Sequence, residues 1–184
     1  VYGMALAYAV STRGGCHLRA YPISHEILRK PVITDRFSFS GKARIIKISE
    51  DLNAVIDSLT ACKFVFFGAS LEEFAQAYSA VCGKECTAQH LLRIGERIYY
   101  HGRILNARLG FDARQDDLPA RFFDEAGSSG DLIDIPALSR EEFLATRARY
   151  YRVRGLSSTG LPTAEKADEL ELTWNDSFTN TPTS

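Results

Sequence analysis

The sequence predicts an all-α protein, a multihelical bundle with long irregular connections. Three observations carry this. The apolar periodicity along the 184-residue chain is mostly helical. Hydroxyl side chains stand just ahead of the periodic runs, where helices start, and glycines stand just past them, where helices stop. The stretches without a helical pattern hold proline and glycine and read as loops.

Taken in order, residues 4–10 read as the end of a helix already under way, as expected of a piece of a longer polypeptide. Residues 20–47 contain Pro22, Pro31 and Gly41 and are expected to be irregular, with short strands or turns at most. Ser49 offers an N-cap with Glu50 and Asp51 as first-turn acids. Leu52, Val55, Ile56 and Leu59 then follow to an end near Ala61. Ser70-Leu71-Glu72-Glu73 is a capping box, with Phe74 and Tyr78 on one face and Gly83 as the stop. Thr87 caps the longest helix, run to about Arg108, with an expected core stripe of Leu91, Ile94, Ile98 and Leu105 and Gly110 as its stop. Residues 111–138, with Pro119, Gly127, Gly130 and Pro136, read as a second irregular connection. Ser139-Arg140-Glu141-Glu142 opens a helix through Tyr151 that Gly155 closes, and Pro162-Thr163 starts a short last helix ending near Leu172.

The length suits one ordinary domain or two small lobes, with a helical region over residues 1–172 and a flexible tail over 173–184, rich in Thr, Ser and Asn. A hydrophobic fraction of 45% and a charged fraction of 24% are those of a soluble globular protein. No apolar run is long enough to cross a membrane, and residues 1–10 lack the basic leader of a signal peptide. A net charge of −1 gives no global field for nucleic acid. The charge is uneven, since residues 1–50 carry 8 Lys/Arg against 3 Asp/Glu. That basic third suits an anionic cofactor or an acidic partner domain, or else is a solvated face. The four cysteines, Cys16, Cys62, Cys82 and Cys86, make no CxxC pair, and a chain this long needs no disulfide staples. A reduced, cytoplasmic setting is expected.

Two stretches carry candidate chemistry. One is Asp57-Ser58-Leu59-Thr60-Ala61-Cys62-Lys63-Phe64, and the other is Ser11-Thr12-Arg13-Gly14-Gly15-Cys16-His17-Leu18-Arg19. A thiolate is a soft, strongly donating ligand for iron, a carboxylate can accept two ring N–H groups in one plane, and a histidine titrates near neutrality. In this order the stretches resemble the C-terminal part of the tungsten-containing aldehyde:ferredoxin oxidoreductases. That family carries a segment of the type Asp-x-x-Gly-Leu-Cys, whose Asp binds the pterin and whose Cys is the fourth ligand of a [4Fe–4S] cluster. Asp57 and Cys62 match those positions, while Thr60-Ala61 replaces Gly-Leu. The resemblance continues through Gly95-Glu96-Arg97-Ile98, Asp116-Asp117-Leu118-Pro119 and Tyr150-Tyr151-Arg152-Val153-Arg154-Gly155, which look architectural.

The resemblance implies an enzyme that oxidises a small aldehyde to a carboxylic acid and passes electrons through the cluster to ferredoxin. It implies Cys62 on the cluster and His17 beside the metal and substrate. It implies Asp57, the backbone at Ala61 and Lys63, and Arg13 against a tungsten (or molybdenum) bis-pterin. An N-terminal pterin-binding domain and three further cysteines lie outside this chain on that reading, so the fragment alone is expected to be inactive. Arg19 could contact phosphate or the cluster. Cys82 and Cys86, with His90 and His101 nearby in sequence, lack a second pair for a metal at usual spacings. Two other readings stay open: a related tungsten subunit acting on another low-potential substrate such as an aromatic acyl-CoA, and a non-catalytic helical interaction module.

Overall fold

The computed structural model describes residues 1–29, 32–128 and 134–174. It is helical. The helices are α1 (Tyr2–Val10), α2 (Ile23–Glu26), α3 (Lys42–Ser58), α4 (Leu71–Cys82), α5 (Ala88–Arg108), α6 (Arg121–Asp124), α7 (Arg140–Arg154) and α8 (Ala164–Glu169), with a 3-10 turn at Lys63–Phe67. Among the described residues one ribbon pairs β1 (Gly127–Ser128) with β2 (Asp134–Ile135), antiparallel.

The helix ends read from the sequence are made as their chemistry requires. Ser70 and Glu73 form a reciprocal capping box, with Ser70 N donating to Glu73 Oε2 at 2.6 Å and Glu73 N to Ser70 Oγ at 3.4 Å. Thr87, Ser139 and Thr163 each accept from the amide three residues on. Gly83 and Gly155 close α4 and α7 in the left-handed region.

Four expectations are corrected. Residues 20–47 are not irregular throughout, because α2 forms and α3 begins at Lys42. The cause is a buried cation. Lys42 is fully buried and its Nζ meets Glu26 Oε1 at 2.9 Å, Thr34 Oγ1 at 2.7 Å and the Asp35 carbonyl at 2.7 Å. Glu26 also accepts from Gly3 N at 2.7 Å, so one ion pair ties this stretch to α1 and α3. Ser49, Glu50 and Asp51 are therefore not a helix start but a buried mid-helix run. The stripe on α5 is also displaced. Ile94, Ile98 and Leu105 are exposed, whereas Leu91, Gly95, Tyr99, Tyr100, Arg103, Ile104 and Ala107 face inward. Finally, α7 runs on to Arg154 and α8 stops at Glu169. Residues 111–138 hold α6 and the ribbon, and 129–133 lie outside the described residues. Of the expected tail, Trp174 is buried in the core, and 175–184 lie outside the described residues.

Two apolar clusters form along α3 and α5. The larger joins α1, α3, α5 and α7 through Leu6, Val10, Ile46, Ile104, Phe143 and Tyr150. The smaller joins Val55, Ala75 and Leu91, with Leu59, Leu71, Phe74 and Cys86 packed against it. Between the helices lies a buried ionic centre. Arg154 of α7 is fully buried, donates to Glu50 Oε2 at 2.6 Å, and also pairs with Asp51. Tyr99 and Tyr150 hydroxyls donate to the two Glu50 oxygens at 2.7 and 2.8 Å. Burial pushes the Glu50 carboxyl up to about 7, against the pull of Arg154 and the two tyrosines. A second bidentate pair, Arg103 with Asp116 at 2.8 and 2.6 Å, fastens α5 to the 111–119 connection. These pairs are the architectural role expected of the charged residues in those segments.

Candidate functional site

The C-terminus of α3 ends in a specific hydrogen-bonded turn. Ala61 N donates to the Ile56 carbonyl at 3.1 Å and Thr60 N to the Asp57 carbonyl at 3.1 Å. These two bonds are the Schellman pattern, in which the residue after the C-cap takes a left-handed conformation, usually as glycine. Here that residue is Thr60, at φ 53. The Asp-x-x-Gly-Leu-Cys pattern therefore has a conformational reason for its glycine, which Thr60 meets without glycine's freedom. Cys62 follows in extended conformation as the N-cap of the 3-10 turn, with its thiol exposed and free. It thus lies just beyond the helix and its cap, not at the end of the helix as the sequence suggested.

Asp57 lies one turn back on α3, its side chain 38% exposed. Lys63 Nζ contacts its Oδ1 at 2.8 Å, and Arg19 lies 3.7 Å from its Oδ2. Asn53 arranges both cations. Its Nδ2 donates to the Ala20 carbonyl at 3.0 Å, holding the Arg19 segment on α3, and its Oδ1 accepts from Lys63 at 3.2 Å. Sequence reasoning passed over Asn53, whose only sequence signal is its place one helical turn before Asp57. Arg19, rather than Arg13, is the arginine brought to Asp57. Its Nε is buried with no hydrogen-bond partner, a donor left over beside a carboxylate.

Arg13 is exposed, and its Nε donates to Cys16 Sγ at 3.2 Å. Leu18 N donates to the same sulfur at 3.4 Å. Burial raises the Cys16 thiol, but Arg13 and the amides of Leu18 and Arg19 outweigh it and hold the thiol below its ordinary value. His17 is exposed on the same bend. The preceding residues, Thr12 to Gly15, form one wall of a groove of ≈ 840 Å³, whose other walls include Asn106, Phe111, Leu118 and Phe122. The Ala61 amide is already used in the turn. No group of three His, Cys, Asp or Glu suited to a metal occurs among the described residues, so Cys62 has no partner ligands within them.

The groove, the exposed His17 and Cys62 and the cation-flanked Asp57 all lie on one helical domain, of a class found in oxidoreductases. The profile described as aldehyde ferredoxin oxidoreductase, domains 2 & 3, matches residues 1–172, and the chain belongs to that family. It is 36% identical over 172 residues to the tungsten-containing aldehyde ferredoxin oxidoreductase of Pyrococcus furiosus, covering 92% of this chain and 28% of that protein. To the protein of the same name from Thermococcus kodakarensis it is 35% identical over the same shares. The chain thus spans somewhat over a quarter of the length of these relatives. In fold it is similar to a chain of the active site complex BamBC of benzoyl coenzyme A reductase in complex with 1,5 dienoyl-CoA. That match has a TM-score of 0.61 and 18% identity, over 78% of this chain and 21% of the other. No helix among the described residues is long and apolar enough to cross a membrane.

Proposed function

We propose that this chain is the C-terminal helical part of a tungstopterin oxidoreductase that oxidises aldehydes to carboxylic acids and delivers electrons through a [4Fe–4S] cluster to ferredoxin. The observation that carries the reading is the helix end itself. One capped turn presents Asp57 and, five residues on, the exposed thiol of Cys62, as a shared boundary between two cofactors requires.

The residues fit the implied groups. Asp57 is open enough to accept from pterin ring N–H groups, and the unpartnered Arg19 Nε and the Lys63 ammonium supply donors beside it. Cys62 has an unshared thiol to give to a cluster as its thiolate. When bound, the tungsten pterin supplies two-electron chemistry and the cluster a one-electron relay. Within this chain, Asp57 orients the pterin edge, and the turn at Thr60-Ala61 sets its distance from Cys62. His17, exposed two residues beyond the groove wall, is available to donate to, or take a proton from, a substrate oxygen. An N-terminal domain of the same protein supplies most of the pterin site, and a middle segment the other three cluster thiols.

The test is an assay of the full-length enzyme. Aldehyde-dependent reduction of ferredoxin supports the reading. Turnover of an aromatic acyl-CoA thioester without aldehyde oxidation replaces the substrate and keeps the scaffold.

A further inference from the structure

Two cysteines take no part in the site above. Cys82 is the last residue of α4, and Cys86 closes the loop that leads into α5. Gly83 turns the chain between them at φ 66. Ala75, Ser79 and Cys82 are spaced by four and three residues, so they share one face of α4. The returning loop lies on that same face. Cys86 N donates to Ser79 Oγ at 2.9 Å, and the Cys86 side chain packs on the cluster that contains Ala75. Ser79 therefore has Cys86 against its hydroxyl and Cys82 beside it, with about 5–6 Å between β-carbons at that helical spacing. Tyr78 senses both sulfurs. Its hydroxyl is raised above its ordinary value first by the Cys82 thiol, and less by Cys86. Cys82 is exposed and Cys86 half-buried, and both thiols are free. No third ligand joins them among the described residues, which argues against a metal clip.

We infer that Cys82 and Cys86 form a reversible disulfide that fastens the end of α4 to the start of α5, made by exchange with a small-molecule disulfide such as oxidised glutathione. The exposed Cys82 thiolate attacks one sulfur of the reagent, expels one glutathione thiol and becomes a mixed disulfide. The Cys86 thiolate then attacks the Cys82 sulfur and expels the second glutathione. Two protein thiols lose two electrons and two protons, and the reagent's S–S bond is reduced to two thiols.

Lys84 lies between the two cysteines, which gives a direct test. The folded chain is incubated with oxidised glutathione, its remaining thiols are alkylated, and it is digested with trypsin. The expected result is loss of the Cys82 and Cys86 thiols, with fragments 64–84 and 85–93 joined until dithiothreitol is added. The Cys86→Ser variant should stop one step earlier, with a single glutathione held on Cys82. Separate glutathione adducts on Cys82 and Cys86, a bridge through Cys16 or Cys62, or unreacted thiols would each overturn the inference.

Discussion

Thr60 holds a left-handed conformation that a β-branched side chain disfavours. A non-glycine residue there costs about 1–2 kcal/mol, of which glycine returns part through its greater freedom when unfolded. Thr60→Gly should therefore stabilise the chain by roughly 1 kcal/mol and raise its melting temperature, read by thermal denaturation. The same residue shows what the sequence made legible about the site. The spacing of Asp57 and Cys62 could be read directly, because residue type and order carry it. The helix cap between them could not, since threonine conceals a turn that glycine would announce. The sequence offered both Arg13 and Arg19 as candidate contacts and could not say which stands beside Asp57. The packing that brings Arg19 to Asp57, held by the Asn53 bond to the Ala20 carbonyl, joins residues far apart in sequence.

At the scale of helices, the contact of α3 with α5 sets the frame. Gly95 is the close approach, where an added β-carbon would lie 2.0 Å from the Asp51 carbonyl oxygen. Gly95→Ala should force the helices apart and cost about 1–3 kcal/mol or more, visible as a lower urea midpoint. The buried Arg154 holds α7 to α3. Arg154→Ala leaves buried Glu50 without its cation and Asp51 with Lys47 alone, and should cost about 3–5 kcal/mol, read by the same unfolding curve. Glu50 gives a pH signature. Its carboxyl sits near 4.5 in the unfolded chain and about 7 in the folded one, so folding favours the protonated acid. The stability this supplies is full below about pH 4.5 and is lost as the pH rises through about 7. Stability of the parent chain should fall across that window, and Glu50→Gln should flatten the fall.

Caps made the helix ends legible: Ser70, Thr87, Ser139 and Thr163 all act through their own side chains. The start of α3 was hidden because its N-cap, Gly41, has no side chain to signal it. The inward face of α5 was misread because its core residues include Tyr99, Tyr100 and Arg103, which a purely apolar stripe passes over. Their partners, Glu50 and Asp116, stand on other elements, so the pairing exists only once the helices are packed.

For the whole molecule, the proposed function makes this chain one end of a site whose remainder lies elsewhere in the protein. Supplied alone with iron and sulfide, it should show no stable cluster absorbance, since Cys62 is a single thiol without partner ligands among the described residues. The central claim is that Cys62 joins this helical part to the cluster. It is tested most directly by the Cys62→Ala variant of the full-length enzyme, measured for cluster-bound iron and for the electron paramagnetic resonance signal of the reduced cluster. The account predicts loss of both, together with ferredoxin reduction. Unchanged iron content and an unchanged signal would contradict it and leave the helical region as a scaffold without a ligand.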